Sequence, residues 1–330
     1  MKQFYYLYKS GRLQRKDNTL EIVYKDNTKR SIPIERVDDI YVMTEFDFNT
    51  NLLNFISKYG VSVHFFNYYG FYTGTYYPKE QLVSGKLLIK QVESYKNSEK
   101  RLYLAKAFIN AASYNIYRNL KYYDNRGKNL KEYIDEISFL RNQIEFCKDI
   151  KELMGIEGNI RKKYYETWKI IINQNMEFEK RVKNPPDNAI NSLISYVNTL
   201  IYTRVLSEIY KTQLNPTISY LHEPSERRFS LCLDIAEIFK PIIADRLIFS
   251  MLNKNQITEK DFEKELNFLY IKEAARKEIT KEMDLRLQTT IKHKTLDRDV
   301  SYEYLIRLEI YKIIKYLIED IPYEGFKMWW

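Results

Sequence analysis

The sequence predicts an α+β protein of two domains, in which a small β-rich domain precedes a larger all-α domain. At 330 residues the chain exceeds the usual single domain of roughly 100 to 150 residues. Five of its nine glycines lie in the first 85 residues, and none lies between Gly158 and Gly325. The apolar period also changes from two residues to 3.6 residues along the chain. We therefore expect a β-domain at residues 1–78, a linker or first helix at 79–95 and a helical domain at 96–330.

The first domain contains four short segments with the composition of strands. They are rich in β-branched and aromatic residues, are separated by polar turns, and lie at residues 20–24, 31–34, 40–42 and 61–65. The stretch from Asn49 to Lys58 carries apolar residues at helical spacing and is followed by Gly60. This pattern is typical of a short amphipathic helix with a glycine cap.

From about residue 90 onward the apolar residues recur at helical spacing. One such series is Leu102, Ala105, Phe108, Ile109 and Ala112, and another is Ile190, Leu193, Ile194, Val197 and Ile201. Pro185 and Pro186 interrupt the pattern, and Asp187 or Asn188 can cap the next helix. The pattern predicts a second domain made of helices alone.

Composition limits the classes of partner and compartment. The 53 Lys and Arg against 44 Asp and Glu give a net charge of +9, which favours nucleic acid as the partner. Cys147 and Cys232 match neither a disulfide framework nor zinc-ligand spacing. No apolar run approaches the roughly 20 residues that cross a bilayer, and the chain starts without a secretion signal. We expect a cytoplasmic protein without a membrane partner.

The segment from His222 to Pro241 contains the clearest chemical pattern. His222 stands just ahead of a helix that Pro224 and Ser225 can start, so we expect it near the mouth of that helix. Asp234 and Glu237 are three residues apart, and their carboxylates therefore point into the same space. Because two neighbouring buried carboxylates repel, they need basic partners or a cation.

Two interpretations of this segment stay open on spacing alone. In one, a divalent cation neutralises the acids and His222 adds a nitrogen ligand. In the other, the acids belong to an ordinary buried network with basic side chains, and His222 is a satisfied histidine at a loop edge. The candidate basic partners are Arg227, Arg228 and Lys240. The other two histidines, His64 in a strand and His293 between lysines, have no acids arranged around them.

A second motif surrounds Glu157, which Gly155 and Gly158 flank at the predicted start of a helix. Glycines beside the carboxylate would let a ligand approach it. The same sequence also fits a simple helix-entry turn, so it carries weight only in combination with the His222 segment.

In order and spacing, these motifs together resemble the CRISPR adaptation endonuclease-integrase family, the number-one CRISPR-associated proteins. The resemblance rests on Glu157 with its glycines, on Arg181 followed by Pro185 and Pro186, on Asn191 to Tyr196, and on His222 to Pro241. It extends to residues 18–20, 32–34 and 63–70 and to Tyr304, Arg307, Glu309, Tyr323 and Phe326. The sequence departs from many relatives at Ile160, Arg161 and Lys240.

The resemblance implies a homodimer formed through the β-domain and one Mn²⁺ or Mg²⁺ site in the helical domain. It assigns the catalytic metal ligands to Glu157, His222 and Glu237, and it places Asp234 beside the metal as the residue that orients ligands or water. It further implies that a DNA 3′-hydroxyl attacks double-stranded DNA to insert fragments into a CRISPR array, with the number-two CRISPR-associated protein bridging two dimers. The overall pattern leans toward type I systems.

Seven basic residues near these motifs are candidates for contacts with DNA phosphates, although each also fits a solvated face or an ion pair. They are Arg181, Arg204, Arg227, Arg228, Lys292, Lys294 and Arg298. Two rival functions remain: a stand-alone metal nuclease for branched DNA, and a DNA-binding scaffold without catalytic activity.

Overall fold

The chain folds into two compact units, Met1–Val83 and Ser84–Trp330. The computed structural model describes residues 2–79, 82–183, 185–224, 229–265 and 268–329. The first unit is β-rich and the second is mainly helical, as the sequence predicts. Among the described residues, no helix is both long and apolar enough to cross a membrane.

The described part of the first unit contains eight strands in two four-stranded sheets. The strands are β1 (Gln3–Leu7), β2 (Gly11–Lys16), β3 (Thr19–Tyr24), β4 (Lys29–Pro33), β5 (Val37–Val42), β6 (Phe46–Asp47), β7 (Val63–Phe66) and β8 (Tyr72–Tyr76). One sheet has the order β1-β5-β7-β8 and the other the order β4-β3-β2-β6. The first is parallel except for the β7–β8 pair, and the second is antiparallel except for the β2–β6 pair.

A single apolar core holds the first unit together. Inward-facing residues such as Leu13, Ile22 and Val63 pack against the buried face of helix α1 (Thr50–Lys58). Asn49 caps this helix because its side chain accepts a hydrogen bond from the Leu52 N–H at 2.9 Å. Gly60 follows with a φ of 69°, which confirms the predicted glycine at the end of the helix.

Ten helices form the described part of the second unit. They are α2 (Gly85–Lys96), α3 (Ser98–Asp124), α4 (Lys131–Gln143), α5 (Ile150–Glu166), α6 (Trp168–Ile171), α7 (Ala189–Tyr210), α8 (Ser230–Phe239), α9 (Arg246–Asn253), α10 (Glu273–Gln288) and α11 (Tyr302–Glu319). Asn188 caps α7 by accepting from the Asn191 N–H at 2.9 Å, as predicted. A one-turn π-helix, Lys240–Asp245, joins α8 to α9.

The prediction that this unit is helical throughout was wrong, because two short antiparallel hairpins interrupt it. The first pairs β9 (Phe262–Glu265) with β10 (Phe268–Ile271), and the second pairs β11 (Thr290–Lys292) with β12 (Asp299–Ser301). Contacts distant in sequence hold the first hairpin, since the Ser192 hydroxyl donates to the Leu269 carbonyl at 2.6 Å. Strands of three or four residues are too short to display an apolar period of their own.

Helix α8 lies at the centre of the second unit, where it packs against α3, α7 and α11. Nine of its ten residues are buried, so any polar side chain on it needs a partner inside the protein. The extended tail at residues 320–329 reaches the same region. Asn115 of α3 donates to the carbonyls of Ile238 and Phe326, both at 3.0 Å, and thereby joins α8 to the tail.

Candidate metal centre

Glu157 lies in the middle of α5, not at the start of a helix as the sequence suggested. The helix begins seven residues earlier at Ile150, because the Asp149 side chain caps it by accepting from the Glu152 N–H at 2.8 Å. Gly155 and Gly158 face open space, and a Cβ at either position would have no neighbour within 4 Å among the described residues. The two glycines therefore leave open space beside Glu157 on α5.

Arg161 joins Glu157 to Glu237, although the two acids are 80 residues apart in sequence. It stands one turn after Glu157 on α5, and its Nε donates to Glu157 Oε1 at 3.2 Å. Its Nη2 donates to Glu237 Oε2 on α8. Burial alone would lower the pKa of Arg161, but the negative charges of Glu237 and Glu157 outweigh burial and raise it. Arg161 is therefore a permanent cation between the two carboxylates.

Glu237 has a second basic partner, Lys240, whose Nζ donates to Oε1 from the next turn of the chain. Burial alone would raise the pKa of Glu237, yet the positive charges of Lys240 and Arg161 hold that pKa well below its ordinary value. The interpretation in which basic side chains neutralise the acids is thus met at Glu237, which pairs with Lys240 in this structure. Arg227 and Arg228, the other basic partners considered from sequence, lie outside the described residues.

His222 and Asp234 form the second half of the site. Asp234 is fully buried, and its Oδ1 accepts from His222 Nδ1 at 2.8 Å. The same carboxylate accepts from the backbone N–H groups of Tyr220, Leu221 and His222 at 2.7, 3.0 and 3.0 Å. A proton on Nδ1 leaves Nε2 as the ring nitrogen with a free lone pair. Asp234 therefore sets both the loop and the histidine tautomer.

The helix that carries these acids starts later than predicted. It begins at Ser230, not at Pro224 or Ser225, and residues 225–228 lie outside the described part of the chain. The carboxylates of Asp234 and Glu237 also serve different partners: Asp234 binds the 220–222 backbone and His222, and Glu237 binds Arg161 and Lys240. His222 nevertheless lies near enough to Glu237 for the two side chains to interact electrostatically.

The structure does not bring Glu157, His222 and Glu237 into a closed chelate. Within the described ranges, no three His, Cys, Asp or Glu side chains are arranged so that they could hold one metal ion. The positive charge at the two glutamates is supplied instead by Arg161 and Lys240. The two glutamates do face the same space, because both line one cavity of about 470 Å³.

That cavity has the charge expected of a phosphate-binding surface. Its lining includes four acids, Glu157, Glu166, Glu179 and Glu237, and six basic side chains, Arg161, Lys162, Lys180, Arg181, Lys183 and Lys240. Basic side chains beside a cleft concentrate anionic ligands. In this cavity the basic side chains outnumber the acidic ones, and they lie in the same lining as Glu157 and Glu237.

The π-helix after Glu237 is held from outside by polar side chains. Asn115 and Asn119 of α3 donate to the carbonyls of Ile238 at 3.0 Å and Pro241 at 2.5 Å. Arg286 of α10 donates through Nε and Nη2 to the carbonyl of Ile242 at 3.1 and 2.6 Å. These side chains thus support the backbone just beyond Glu237.

Asp245 ends the π-helix and is buried. Its Oδ2 has no hydrogen-bond partner within the described residues. Burial raises the pKa of this carboxyl to about 7, even though Arg161 and a hydrogen bond with Tyr164 act in the opposite direction. Near neutral pH, Asp245 is therefore poised between its neutral and charged forms.

The basic residues predicted to contact DNA have different environments. Arg204 is 1% exposed and donates to Asp284 at 2.6 Å, so it is not available to a DNA backbone at the surface. Arg181 lines the cavity, while its guanidinium also donates to Ser195 at 2.8 Å and to Asn191. Lys292, Lys294 and Arg298 are exposed together on the β11–β12 hairpin.

Sequence reasoning missed Arg161 and the supports of the π-helix. Arg161 was visible only as a departure from relatives, although its position four residues after Glu157 is the spacing of a helical ion pair. Asn119 and Arg286 carry no local signal, because their partner carbonyls lie 122 and 44 residues away.

Comparison with known proteins gives one family. The model of the family described as "CRISPR associated protein Cas1" matches residues 5–284. A CRISPR-associated endonuclease Cas1 from Fusobacterium nucleatum is 60% identical over 330 residues, which covers 100% of this chain and 98% of that protein.

Solved structures share the fold. A Cas1 protein from Thermotoga maritima superposes with a TM-score of 0.84 at 38% identity and covers 96% of this chain and 97% of its own. A casposase bound to integration product has a TM-score of 0.86 at 20% identity and covers 98% and 93%. A Cas6–RT–Cas1–Cas2 complex has a TM-score of 0.85 at 16% identity, and the match covers 100% of this chain and 36% of that chain. At these lower identities the likeness concerns the fold alone.

Proposed function

The chain belongs to the Cas1 family of CRISPR-associated proteins, and from this premise we propose that it is a metal-dependent DNA endonuclease and integrase. In this function it inserts short DNA fragments into a CRISPR array by attack of a 3′-hydroxyl. One observation carries the proposal beyond the family: Glu157 and Glu237 converge from two helices on one guanidinium and line one cavity. Two converging carboxylates in a basic cleft suit phosphodiester chemistry.

The side chains fit a divalent cation in charge and in donor type. Glu157 and Glu237 offer carboxylate oxygens and His222 offers Nε2, a donor set that suits Mn²⁺ or Mg²⁺. The position already holds positive charge, since Arg161 and Lys240 neutralise the carboxylates. We assign the three ligands to Glu157, His222 and Glu237.

A cation bound there would supply Lewis-acid activation of the phosphodiester. The protein side chains have separate tasks. Asp234 fixes the tautomer and orientation of His222. Basic side chains of the cavity, Arg181 among them, hold the DNA phosphates so that the reacting bond lies beside the carboxylates. The nucleophile is a DNA 3′-hydroxyl in integration and water in cleavage.

Double-stranded DNA is the proposed macromolecular substrate. Lys292, Lys294 and Arg298 are exposed together on the second hairpin, and we assign them to backbone phosphates. Arg227 and Arg228 stay predictions for the same role. Arg204 is left out of this set because it is buried against Asp284.

We also propose a homodimer and a Cas2 partner that bridges two dimers. The family membership supports both, and a Cas1–Cas2 assembly is named for one of the proteins that share this fold. Size-exclusion chromatography with light scattering, with and without Cas2, measures the two assemblies directly.

The proposed reaction is tested by strand transfer. A labelled duplex with free 3′-hydroxyls is incubated with Mn²⁺, the cognate Cas2 and a supercoiled plasmid that carries a CRISPR array. We expect labelled plasmid, and none from a duplex with 3′-dideoxy ends. Cleavage of branched DNA without any joining would instead support the stand-alone nuclease. Neither reaction, together with no Mn²⁺ binding, would support the scaffold.

We expect His222→Ala to lower strand transfer by more than about 100-fold, the upper end of the effect of residues that merely support a ligand. The same variant should bind Mn²⁺ more weakly in calorimetry, because Nε2 is removed. Glu223→Gln is the control, since Glu223 is the neighbour of His222 in sequence and its exposed side chain pairs with Arg101. Equal activity in the two variants would remove His222 from the site.

A further inference from the structure

Arg161 occupies the space where the two proposed carboxylate ligands meet. Its Nε and Nη2 reach Glu157 and Glu237, and its side chain is only 13% exposed. Lys240 differs, because it pairs with Glu237 from the adjoining turn and, within the described residues, bridges no second carboxylate. Arg161 is therefore the cation that ties α5 to α8 at the site.

A guanidinium and a divalent cation compete for the same carboxylate lone pairs. Arg161 cannot leave by losing its proton, because an arginine side chain stays charged in proteins. The only way to free both carboxylates is to move the side chain. Breaking a buried ion pair without compensation is costly, so the displaced guanidinium needs a new anion.

We propose that Arg161 is an internal counter-cation that a divalent metal must displace, and that the displaced guanidinium then binds a phosphate of the DNA backbone. The inference rests on the proposed metal site and adds a coupling to it. Metal binding and DNA binding then favour each other. The metal pairs with the carboxylates that the guanidinium leaves, and the DNA phosphate pairs with the displaced guanidinium.

The surroundings of Arg161 fit this second position. Arg161 lines the cavity of about 470 Å³ that also contains Lys180, Arg181 and Lys183. A guanidinium presents paired N–H donors that match phosphate oxygens. A DNA phosphate bound in this cavity would thus lie in the space that Arg161 already lines.

The test measures Mn²⁺ binding to the metal-stripped full-length protein by calorimetry. We expect Arg161→Ala to bind Mn²⁺ about tenfold or more tightly than the wild type, because the competing cation is gone. The metal-free variant should also unfold at a lower temperature, and Mn²⁺ should raise its unfolding temperature more than it raises that of the wild type. Equal or weaker Mn²⁺ binding by Arg161→Ala would overturn the proposal.

Two further variants keep the result interpretable. Lys163→Ala removes the same charge from α5 at a residue that pairs with Glu136 at 2.8 Å, and it should bind Mn²⁺ like the wild type. Arg161→Lys keeps the charge but lacks the fork that spans two carboxylates, so we expect an intermediate affinity. If Arg161→Ala does not fold, the Mn²⁺ affinity of Arg161→Lys tests the proposal instead. An affinity equal to that of the wild type would then count against the proposal.

A separate arm addresses the phosphate contact. With a duplex blocked at its 3′ ends, Mn²⁺ should strengthen DNA binding by the wild type more than by Arg161→Ala, as measured by fluorescence anisotropy. Equal gains would overturn this half of the proposal. If Mn²⁺ binds neither the wild type nor Arg161→Ala, the metal-dependent function fails as well. If Mn²⁺ binds both proteins equally and His222→Ala abolishes this binding, only the proposed role of Arg161 fails.

Discussion

Asp234 accepts four hydrogen bonds, three from the backbone of residues 220–222 and one from the ring of His222. Every donor points at an oxygen, and the carboxylate has no exposed surface. A carboxylate is the side chain that can accept all four of these bonds without presenting a donor of its own. The orientation of His222 therefore depends on the charge state and shape of one buried acid.

Replacing Asp234 by asparagine tests this dependence. The amide would turn one donor toward backbone N–H groups, so we expect Mn²⁺ affinity to fall by about 10- to 100-fold. The free energy of unfolding should fall by about 1–3 kcal/mol, the cost of unsatisfied buried donors. Calorimetry and urea denaturation measure the two effects. Glu223→Gln, at an exposed residue that pairs with Arg101, is the control and should leave Mn²⁺ affinity unchanged.

Asp245 makes stability depend on pH. Its folded-state pKa, raised by burial to about 7, lies above the ordinary value of 3.8. The folded protein therefore binds a proton that the unfolded chain releases, and the contribution of Asp245 to stability falls as the pH rises from about 4 to about 7. The full change corresponds to about 4 kcal/mol.

Asp245→Asn should remove this dependence. We expect the variant to gain stability relative to the wild type as the pH rises from 4 to 8, because its amide does not ionise. Urea denaturation in EDTA at several pH values measures the difference in the free energy of unfolding between the variant and the wild type. Because Glu237 is present in both proteins, its opposite contribution cancels in this difference. A difference that stays constant over this range would show that Asp245 keeps its ordinary pKa.

At the level of elements, α8, the π-helix and α9 form one continuous helical segment with a change of pitch beyond Glu237. Pro241 lies at that change and lacks an N–H, which explains why the regular pairing is interrupted there. The carbonyls at this point turn to Asn115, Asn119 and Arg286. These hydrogen bonds position the Glu237 turn relative to α3 and α10.

Asn119→Ala should weaken the fold at this point. It leaves the Pro241 carbonyl without its donor, and we expect a decrease of about 1–3 kcal/mol in the free energy of unfolding. Asn110→Ala on the same helix removes an amide that bonds the exposed Glu145 and should change stability by less than about 0.5 kcal/mol. Equal effects in urea denaturation would mean that the π-helix does not need this support.

Long periodic segments were predictable from the sequence, and short or tertiary-dependent ones were not. The periods of α3 and α7 were visible because each runs for more than five turns. Strand β2 was missed because only Leu13 among its six residues is buried. The β9–β10 hairpin depends on Ser192, far away in sequence, so no local pattern could indicate it.

For the site, the sequence predicted Glu157, His222, Asp234 and Glu237 as functional residues but not their hydrogen-bond partners. The contact between Asp234 and His222 fits the orienting role that the resemblance implies for Asp234, whereas spacing alone had paired Asp234 with Glu237. Arg161 connects residues 80 apart in sequence, and such a bridge becomes visible only when α5 and α8 are placed together.

For the whole molecule, the net charge of +9 predicts that the proposed DNA binding depends strongly on salt. Each neutralised phosphate contributes a slope of about −0.9 to the plot of log affinity against log salt, so two neutralised phosphates already weaken binding about tenfold between 50 and 200 mM salt. We expect at least this weakening in fluorescence anisotropy. Replacing Lys292, Lys294 and Arg298 by alanine should reduce the slope by about one unit for each phosphate that the hairpin no longer neutralises. An unchanged slope would exclude this hairpin from the DNA surface.

The course of the last ten described residues has a practical consequence. Gly325 passes so close to α3 that a Cβ would lie 2.6 Å from the Cβ of Ala111, and the Met328 N–H donates to Asn115 at 2.8 Å. Asn115 in turn donates to the carbonyl next to Glu237. We therefore expect proteolytic removal of the residues after Glu319 to disturb the proposed metal site. A preparation with low activity should be checked for this cleavage by mass spectrometry before the loss is attributed to the proposed ligands.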